Sequence, residues 1–355
     1  MKYMVGYPVN GDAGFVDEII KWKENIYEVY FSWGSMSSGR GTVVLGEEGI
    51  PFRSQEEQYK NLKKISNAGI PLNLLLNANC YGKNSLSRNF YMELGNLIDY
   101  FSKELLLHSI TTTSPVIAKF VKENFPDLEI RASVNMEIGT ISGMEYLSNW
   151  FDGYYYKREL NREINKVKQM KAWCDQHGKK LYMLANSGCL NFCSARTFHD
   201  NLVAHEKEIA EMNNGMEFKS ACSSFLEQEE NQKRVLRYLN IVRPEEISMF
   251  DGMVEAAKLA TRISRRPSVI LQSYVKQKFN GNLLELMEPN HAGLFYPVVI
   301  DNEKMPEDYH HRVAVCDKNC EKCGYCDEVL HKAWVKLEGG GILDVNKCND
   351  QGSCH

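Results

Sequence analysis

Several features are missing from this chain of 355 residues, and each absence narrows what it can be. No stretch approaches the ~18 consecutive apolar residues of a membrane span. The opening MKYMVGYPVNG has no apolar core of signal-peptide length, so a cytoplasmic protein without a membrane span is expected. An excess of one charge is missing too. The 42 Lys and Arg against 46 Asp and Glu leave a net charge of −4, which implies no bulk attraction to nucleic acid but leaves room for a local basic groove. No glycine fingerprint follows the first apolar run, which argues against a dinucleotide-binding fold. Neither Gly-x-Ser-x-Gly nor His-Glu-x-x-His occurs, so the serine elbow and the zinc-protease helix are both absent.

What the chain does have is cysteine, eleven in all. Without a secretion signal they argue against a disulfide framework and for metal binding. Cys189 and Cys193, with three residues between them, lie in LANSGCLNFCSARTFHDN, behind the apolar run Lys179–Leu184 and the turn Asn186-Ser187-Gly188. Cys222 follows in the polar loop KSACSSF. Cys316, Cys320, Cys323 and Cys326 crowd into CDKNCEKCGYC, a spacing that lets thiolates converge on one centre as in ferredoxins or zinc knuckles. Cys80 or a cysteine of the tail is a candidate fourth ligand of the first group. Cys174, within KAWCDQHG, reads as a small buried hydrophobe. Cys348 and Cys354 close the chain.

Short apolar runs alternate with helical segments. Strands are expected at Tyr3–Val9, Tyr27–Trp33, Pro71–Asn77, Leu105–Ile110, Leu128–Val134, Gly153–Lys157, Lys179–Leu184 and Ile247–Phe250. Helices are expected to open at the capping box Ser54-Gln55-Glu56-Glu57, at Ser114-Pro115 and at Asn161, with a last one over Met253–Ile263. Strict β/α alternation implies a parallel sheet. Eight units at this length favour a closed (β/α)8 TIM-type barrel over residues 1–266, with a Cys-rich C-terminal extension over 267–355.

In such a barrel the polar residues just past each apolar run ring one mouth. These are Asn77, Asn79, Cys80, Thr111, Thr112, Asn135, Lys157, Arg158, Asn186 and Cys189. The Gly- and Ser-rich stretch Gly34–Arg53 is a candidate cover for that mouth. Arg196 and His199 share a helical face just after the thiol turn, which makes them candidate catalytic residues. Cys193 with His199 could form a nucleophile–base pair, and His205 is a further candidate. Asn77, Asn135, Arg158, Lys258 and Arg262 are candidate substrate-binding residues. Lys258 and Arg262, four apart on the expected last helix, would repel unless they had an anion to hold.

Three blocks, FPDLEIRASVN (Phe125–Asn135), LANSGCLNFCSARTFHDN (Leu184–Asn201) and RPEEISMFDGMVEAAKLATR (Arg243–Arg262), resemble the peptidase U32 family in order and spacing. The Cys189-x3-Cys193 arrangement is more similar to its divergent branch, which includes oxygen-independent ubiquinone hydroxylation proteins. The resemblance implies one of two activities. One is collagenase-like peptidase action. The other is iron–sulfur-dependent, oxygen-independent hydroxylation of a small molecule or nucleobase, with a prephenate-like hydroxyl donor. It places Cys189, Cys193 and Cys222 at cluster-ligand positions, and Lys258 and Arg262 at the basic positions after the last strand. A 4Fe–4S cluster is the implied cofactor, with zinc an alternative in the tail set Cys316, Cys320, Cys323 and Cys326. A second U32-type subunit is an implied partner, and a non-catalytic cluster-binding subunit is the third reading. Redox chemistry leads among these, because a lone catalytic thiol leaves the other clustered cysteines without a role.

Overall fold

The computed structural model describes residues 1–8, 13–34, 36, 38–39 and 51–337. Eight parallel strands close into a barrel in sequence order. They are β1 (Tyr3–Gly6), β2 (Ile26–Phe31), β3 (Leu72–Leu76), β4 (Leu107–Thr112), β5 (Glu129–Ala132), β6 (Gly153–Tyr155), β7 (Lys180–Leu184) and β8 (Ala257–Leu259). β8 pairs with both β7 and β1, closing the ring: Leu184 lies beside Lys258, and Lys258 beside Met4. The principal helices following the first seven strands are α1 (Ala13–Lys21), α2 (Pro51–Asn67), α3 (Arg88–Glu104), α4 (Pro115–Asn124), α5 (Ile141–Glu145), α6 (Ile164–Gln176) and α7 (Arg196–Ala204). The helix Pro267–Lys276 follows β8.

The period-2 alternation of the strands divides the core in two. Outward residues such as Val5, Val29, Leu72, Leu74, Ile110, Ile130, Leu181 and Leu259 pack under the helices. Inward residues Met4, Tyr30, Leu75, Val134, Tyr155, Tyr182, Leu184, Ala256 and Ala260 form a separate cluster inside the ring. Burial on both faces explains why β3 reads LNLLL with every residue buried. Ile270, Leu271, Leu283, Leu286, Val329, Leu330 and Ala333 belong to the outer cluster. Beyond the barrel, β9 (Val298–Ile300) and β10 (Trp334–Lys336) pair antiparallel.

The expected caps fare unevenly. Ser114 caps α4 as read, its Oγ accepting from the Ile117 N–H at 3.3 Å with Pro115 in the first turn. α2 opens at Pro51, ahead of the Ser54 capping box, because proline at the first helical position already starts the helix. Asn161 caps nothing. It lies in the 3-10 turn Arg158–Arg162, where its Nδ2 donates to the carbonyls of Leu184 and Asn240, both at 2.9 Å.

The eighth unit requires a correction. Ile247–Phe250, expected as the last strand, belongs to the 3-10 segment Pro244–Phe250. The true eighth strand, Ala-Lys-Leu, lies inside the expected helix Met253–Ile263. Lys258 and Arg262 therefore sit on and just beyond a barrel strand, where alternate residues share a face, rather than on a helix. Cys348, Cys354 and most of the Gly34–Arg53 stretch lie outside the described residues. Among the described residues, no helix is long and apolar enough to cross a membrane.

Candidate active site

The loops after β5, β6 and β7 meet through one chain of charges. Arg158 donates from Nη2 to the Asn135 Oδ1 at 2.8 Å and from Nη1 to Glu137 at 2.7 Å. The other Glu137 oxygen accepts from Arg196 Nη1 at 2.8 Å, and the same nitrogen reaches Glu159 at 2.8 Å. Asn135 Nδ2 donates to the Asn77 carbonyl, and Asn77 Oδ1 accepts from the Gly39 N–H at 3.0 Å. Asn77, Asn135, Arg158 and Arg196 are thus one network, as the mouth geometry implies. The carboxylates that join them, Glu137 and Glu159, are the residues that sequence reasoning passed over. Their one visible signal was position, just past the apolar runs of β5 and β6.

Burial acts differently on the two carboxyls. It raises Glu137 above the ordinary carboxylate range even though two arginines oppose the shift. Burial opposes ionisation at Glu159 as well, yet Arg196 and the Phe192 N–H hold that carboxyl low. Glu137 and Phe192 both take the left-handed backbone conformation, at φ 53° and 55°, which costs a non-glycine residue about 1–3 kcal/mol. One buried nitrogen on each guanidinium, Arg158 Nε and Arg196 Nε, and the Glu159 Oε2 have no partner among the described residues.

The thiol turn is held from beneath. The Gly188 N–H donates to the Glu288 carbonyl at 2.8 Å, and His291 Nε2 contacts the Gly188 carbonyl at 2.8 Å. A Cβ on Gly188 would lie 2.0 Å from the Pro289 carbonyl oxygen, so only glycine fits there. Asn240 Nδ2 donates to the Cys189 carbonyl at 3.0 Å. Asn186 is spent on structure, bonded to Ala260 and Leu286. Cys222 arrives on the short helix Ala221–Leu226. Burial pushes its thiol up, and the neighbouring Cys189 and Cys193 add to that, against the Ser220 hydroxyl. Cys189 also lies within electrostatic reach of Arg196. The three cysteines from two separate loops thus lie within electrostatic reach of one another. Among the described residues, no group of three or more His, Cys, Asp or Glu side chains is set to hold a metal ion.

The tail cysteines form a second group. Cys316 and Cys326 both act on Cys320, whose thiol burial raises, and Cys326 stands against Arg162 and Tyr309. Cys323 is exposed, with Arg312 Nη2 4.0 Å from its sulfur. The groups share a neighbour. Lys318, from the tail loop, and Lys157, after β6, place their ammonium groups 5.6 and 5.8 Å from the centroid of Phe192, between Cys189 and Cys193.

His199 does not join the network. Its Nε2 is buried without a partner among the described residues, and its ring faces Phe218. The thiol–imidazole contact forms elsewhere, between Cys80 and His205. The imidazole lowers the Cys80 thiol and is itself raised, and the Gly82 N–H donates to the sulfur at 3.4 Å. Glu208 lies 3.1 Å from the other side of the ring, at Nδ1. Lys258 and Arg262 are both buried, Arg262 donating to Ser38 Oγ at 3.3 Å.

No family model matches the chain. It is 23% identical over 327 residues to the uncharacterized protease MJ1657 of Methanocaldococcus jannaschii, a match covering 88% of this chain and 90% of that protein. The chain is similar to U32-type peptidases. Among solved structures it is similar to the U32 peptidase Mk0906, with a TM-score of 0.48 and 14% identity over 60% of this chain and 80% of that one. It is also similar to a family 5 mannosidase of Rhizomucor miehei, at 0.37 and 8% over 73% and 80%. The barrel assignment stands on this chain's own strand pairing.

Proposed function

We propose that this U32-like chain is an enzyme whose Cys189, Cys193 and Cys222 hold an iron–sulfur cluster, a 4Fe–4S centre, at the barrel mouth. Its reaction would be oxygen-independent hydroxylation or a related redox modification of a small-molecule or nucleobase substrate, with a prephenate-like compound as hydroxyl donor. One observation carries the reading: Cys189 and Cys193 lie within electrostatic reach of Cys222, which comes from a separate loop, and Cys189 within reach of the buried Arg196. A soft all-thiol donor set suits iron–sulfur chemistry, and the cluster when bound supplies one-electron transfer. The chain's own groups do the rest. Arg158 and Arg196, fixed by Glu137 and Glu159, have Nε donors without a partner among the described residues, which could orient an anionic or carbonyl-bearing substrate. The tail set Cys316, Cys320, Cys323 and Cys326 would hold a second centre, iron–sulfur or zinc. Anaerobic purification with iron and sulfide analysis and visible absorption tests this. Stoichiometric iron that disappears in Cys189→Ala supports it, and a colourless, iron-free protein sinks it.

A second reading, peptidase action, is favoured by Cys80, His205 and Glu208 and by the name of the archaeal relative. A thiol lowered by an imidazole that a carboxylate orients is a nucleophile–base arrangement. Cys80→Ala should then abolish peptide hydrolysis with metal content unchanged. Hydrolysis that survives Cys80→Ala rejects this nucleophile.

A further inference from the structure

Lys258 occupies the middle of β8, and its neighbours on the inward face are the small residues Ala256 and Ala260. Its Nζ lies 3.9 Å from the centroid of the Tyr30 ring and 5.4 Å from that of Tyr155. The residue is 8% exposed, and among the described residues its amine has no hydrogen bond or ion pair. The two phenols are already committed: Tyr30 donates to the Leu259 carbonyl at 2.7 Å and Tyr155 to the Met4 sulfur at 2.9 Å. Arg262 is the next charged residue toward the mouth on the same alternation.

The charged groups facing this amine are Arg262 and Arg131, which oppose its protonation, and Glu28 and Glu288, which favour it. Burial outweighs them all and brings the amine down to about 7. The Tyr30 face returns part of this to the ammonium, less than full desolvation removes. A lysine desolvated beside a second cation is the setting in which an amine acts as a nucleophile toward carbonyls.

We propose that Lys258 condenses with the carbonyl of a 2-oxo acid whose carboxylate is held by Arg262. The lysine nitrogen bonds to the carbonyl carbon, and a proton passes from nitrogen to the former carbonyl oxygen. That oxygen then leaves as water with the second amine hydrogen, and a C=N bond remains; no oxidant or reductant is needed. The guanidinium one step up the strand selects a carbonyl flanked by a carboxylate over a plain ketone. The proposal goes beyond the thiol site and needs no metal.

The test uses the full chain with pyruvate and sodium cyanoborohydride at pH 7, followed by peptide mapping by mass spectrometry. The wild type should carry one adduct per chain, on the Lys258 peptide. Labelling there should fall at least tenfold in Arg262→Met or when acetone replaces pyruvate. Lys258→Met, checked for folding by circular dichroism, should take no adduct in the barrel and should keep its iron content, which separates this test from that of the cluster. Adducts scattered over surface lysines at equal rates in wild type and Lys258→Met overturn the proposal. So does pyruvate binding, seen by tryptophan fluorescence, without an adduct at Lys258.

Discussion

Two cations, Arg131 and Lys258, are buried inside the same barrel, both close to Tyr155, and their surroundings are opposite. Arg131 is fully buried, bonded to Glu28 at 2.5 Å and to Glu129 at 2.7 Å, with the Tyr182 ring centroid 4.4 Å away. The carboxylates are supported in turn: Ser109 donates to Glu28, and Tyr182 and Lys180 donate to Glu129. Lys258 has two aromatic rings and, among the described residues, no carboxylate in an ion pair with it. Glu28, one of the two acids that act on it, is already bonded to Arg131 and Ser109. A buried charge with its counter-ions is scaffold, and a buried amine without them is left reactive.

The largest effect that would test this contrast is at the paired cation. Arg131→Met leaves Glu28 and Glu129 buried without their partner, and urea unfolding should show a loss of about 3–5 kcal/mol. A loss under about 1 kcal/mol would break the contrast. The next effect is a pH dependence. The Lys258 amine is held near 7 in the folded chain against 10.5 for an ordinary lysine. Between those values the unfolded chain binds a proton that the folded chain does not. Wild-type stability should therefore rise with pH relative to Lys258→Met, by up to about 1.4 kcal/mol per unit. Parallel stability curves across that window would show that Lys258 is not depressed. At the mouth, Glu137→Gln removes the charged bridge between Arg158 and Arg196, leaving Arg158 to Asn135 and Arg196 to Glu159, and should lower stability by about 1–3 kcal/mol in thermal unfolding. The smallest change is expected at the rim of the Arg131 network. Lys180 is 40% exposed, and Lys180→Met should cost no more than about 1 kcal/mol.

Much of the barrel was legible in the linear pattern, since seven strands lie where apolar runs sit between turn signals. The eighth was not. Ile-Ser-Met-Phe looks more like a strand than Ala-Lys-Leu, but only Ala257–Leu259 pairs with both β7 and β1. Three residues with a lysine in the middle have no periodicity to read, and their strand character comes from the neighbours that close the ring. The site divides the same way. Asn77, Asn135 and Arg158 were picked out from their position past the strands and Arg196 from its helical spacing after the thiol turn, and the structure brings the four into one network. Glu137 and Glu159, which hold them together, carried no local mark. The Cys193–His199 pair that spacing alone allows does not form among the described residues, and Cys80 meets His205 instead, because the loop after β3 reaches the end of α7 and no spacing rule spans that distance.

By itself the sequence determined the alternation of β and α units, the inward and outward faces of each strand, and the grouping of cysteines at Cys189–Cys193 and in the tail. These are local properties, written in the spacing of side chains along one backbone. Tertiary structure decided which buried charges met partners. Arg131 and Lys258 are both cations in short strands, and the one local difference is Glu129, two residues before Arg131 on the same face of its strand. Closure of the barrel added Glu28 to the first and set two tyrosine rings against the second, and the low dielectric of the interior made that difference large.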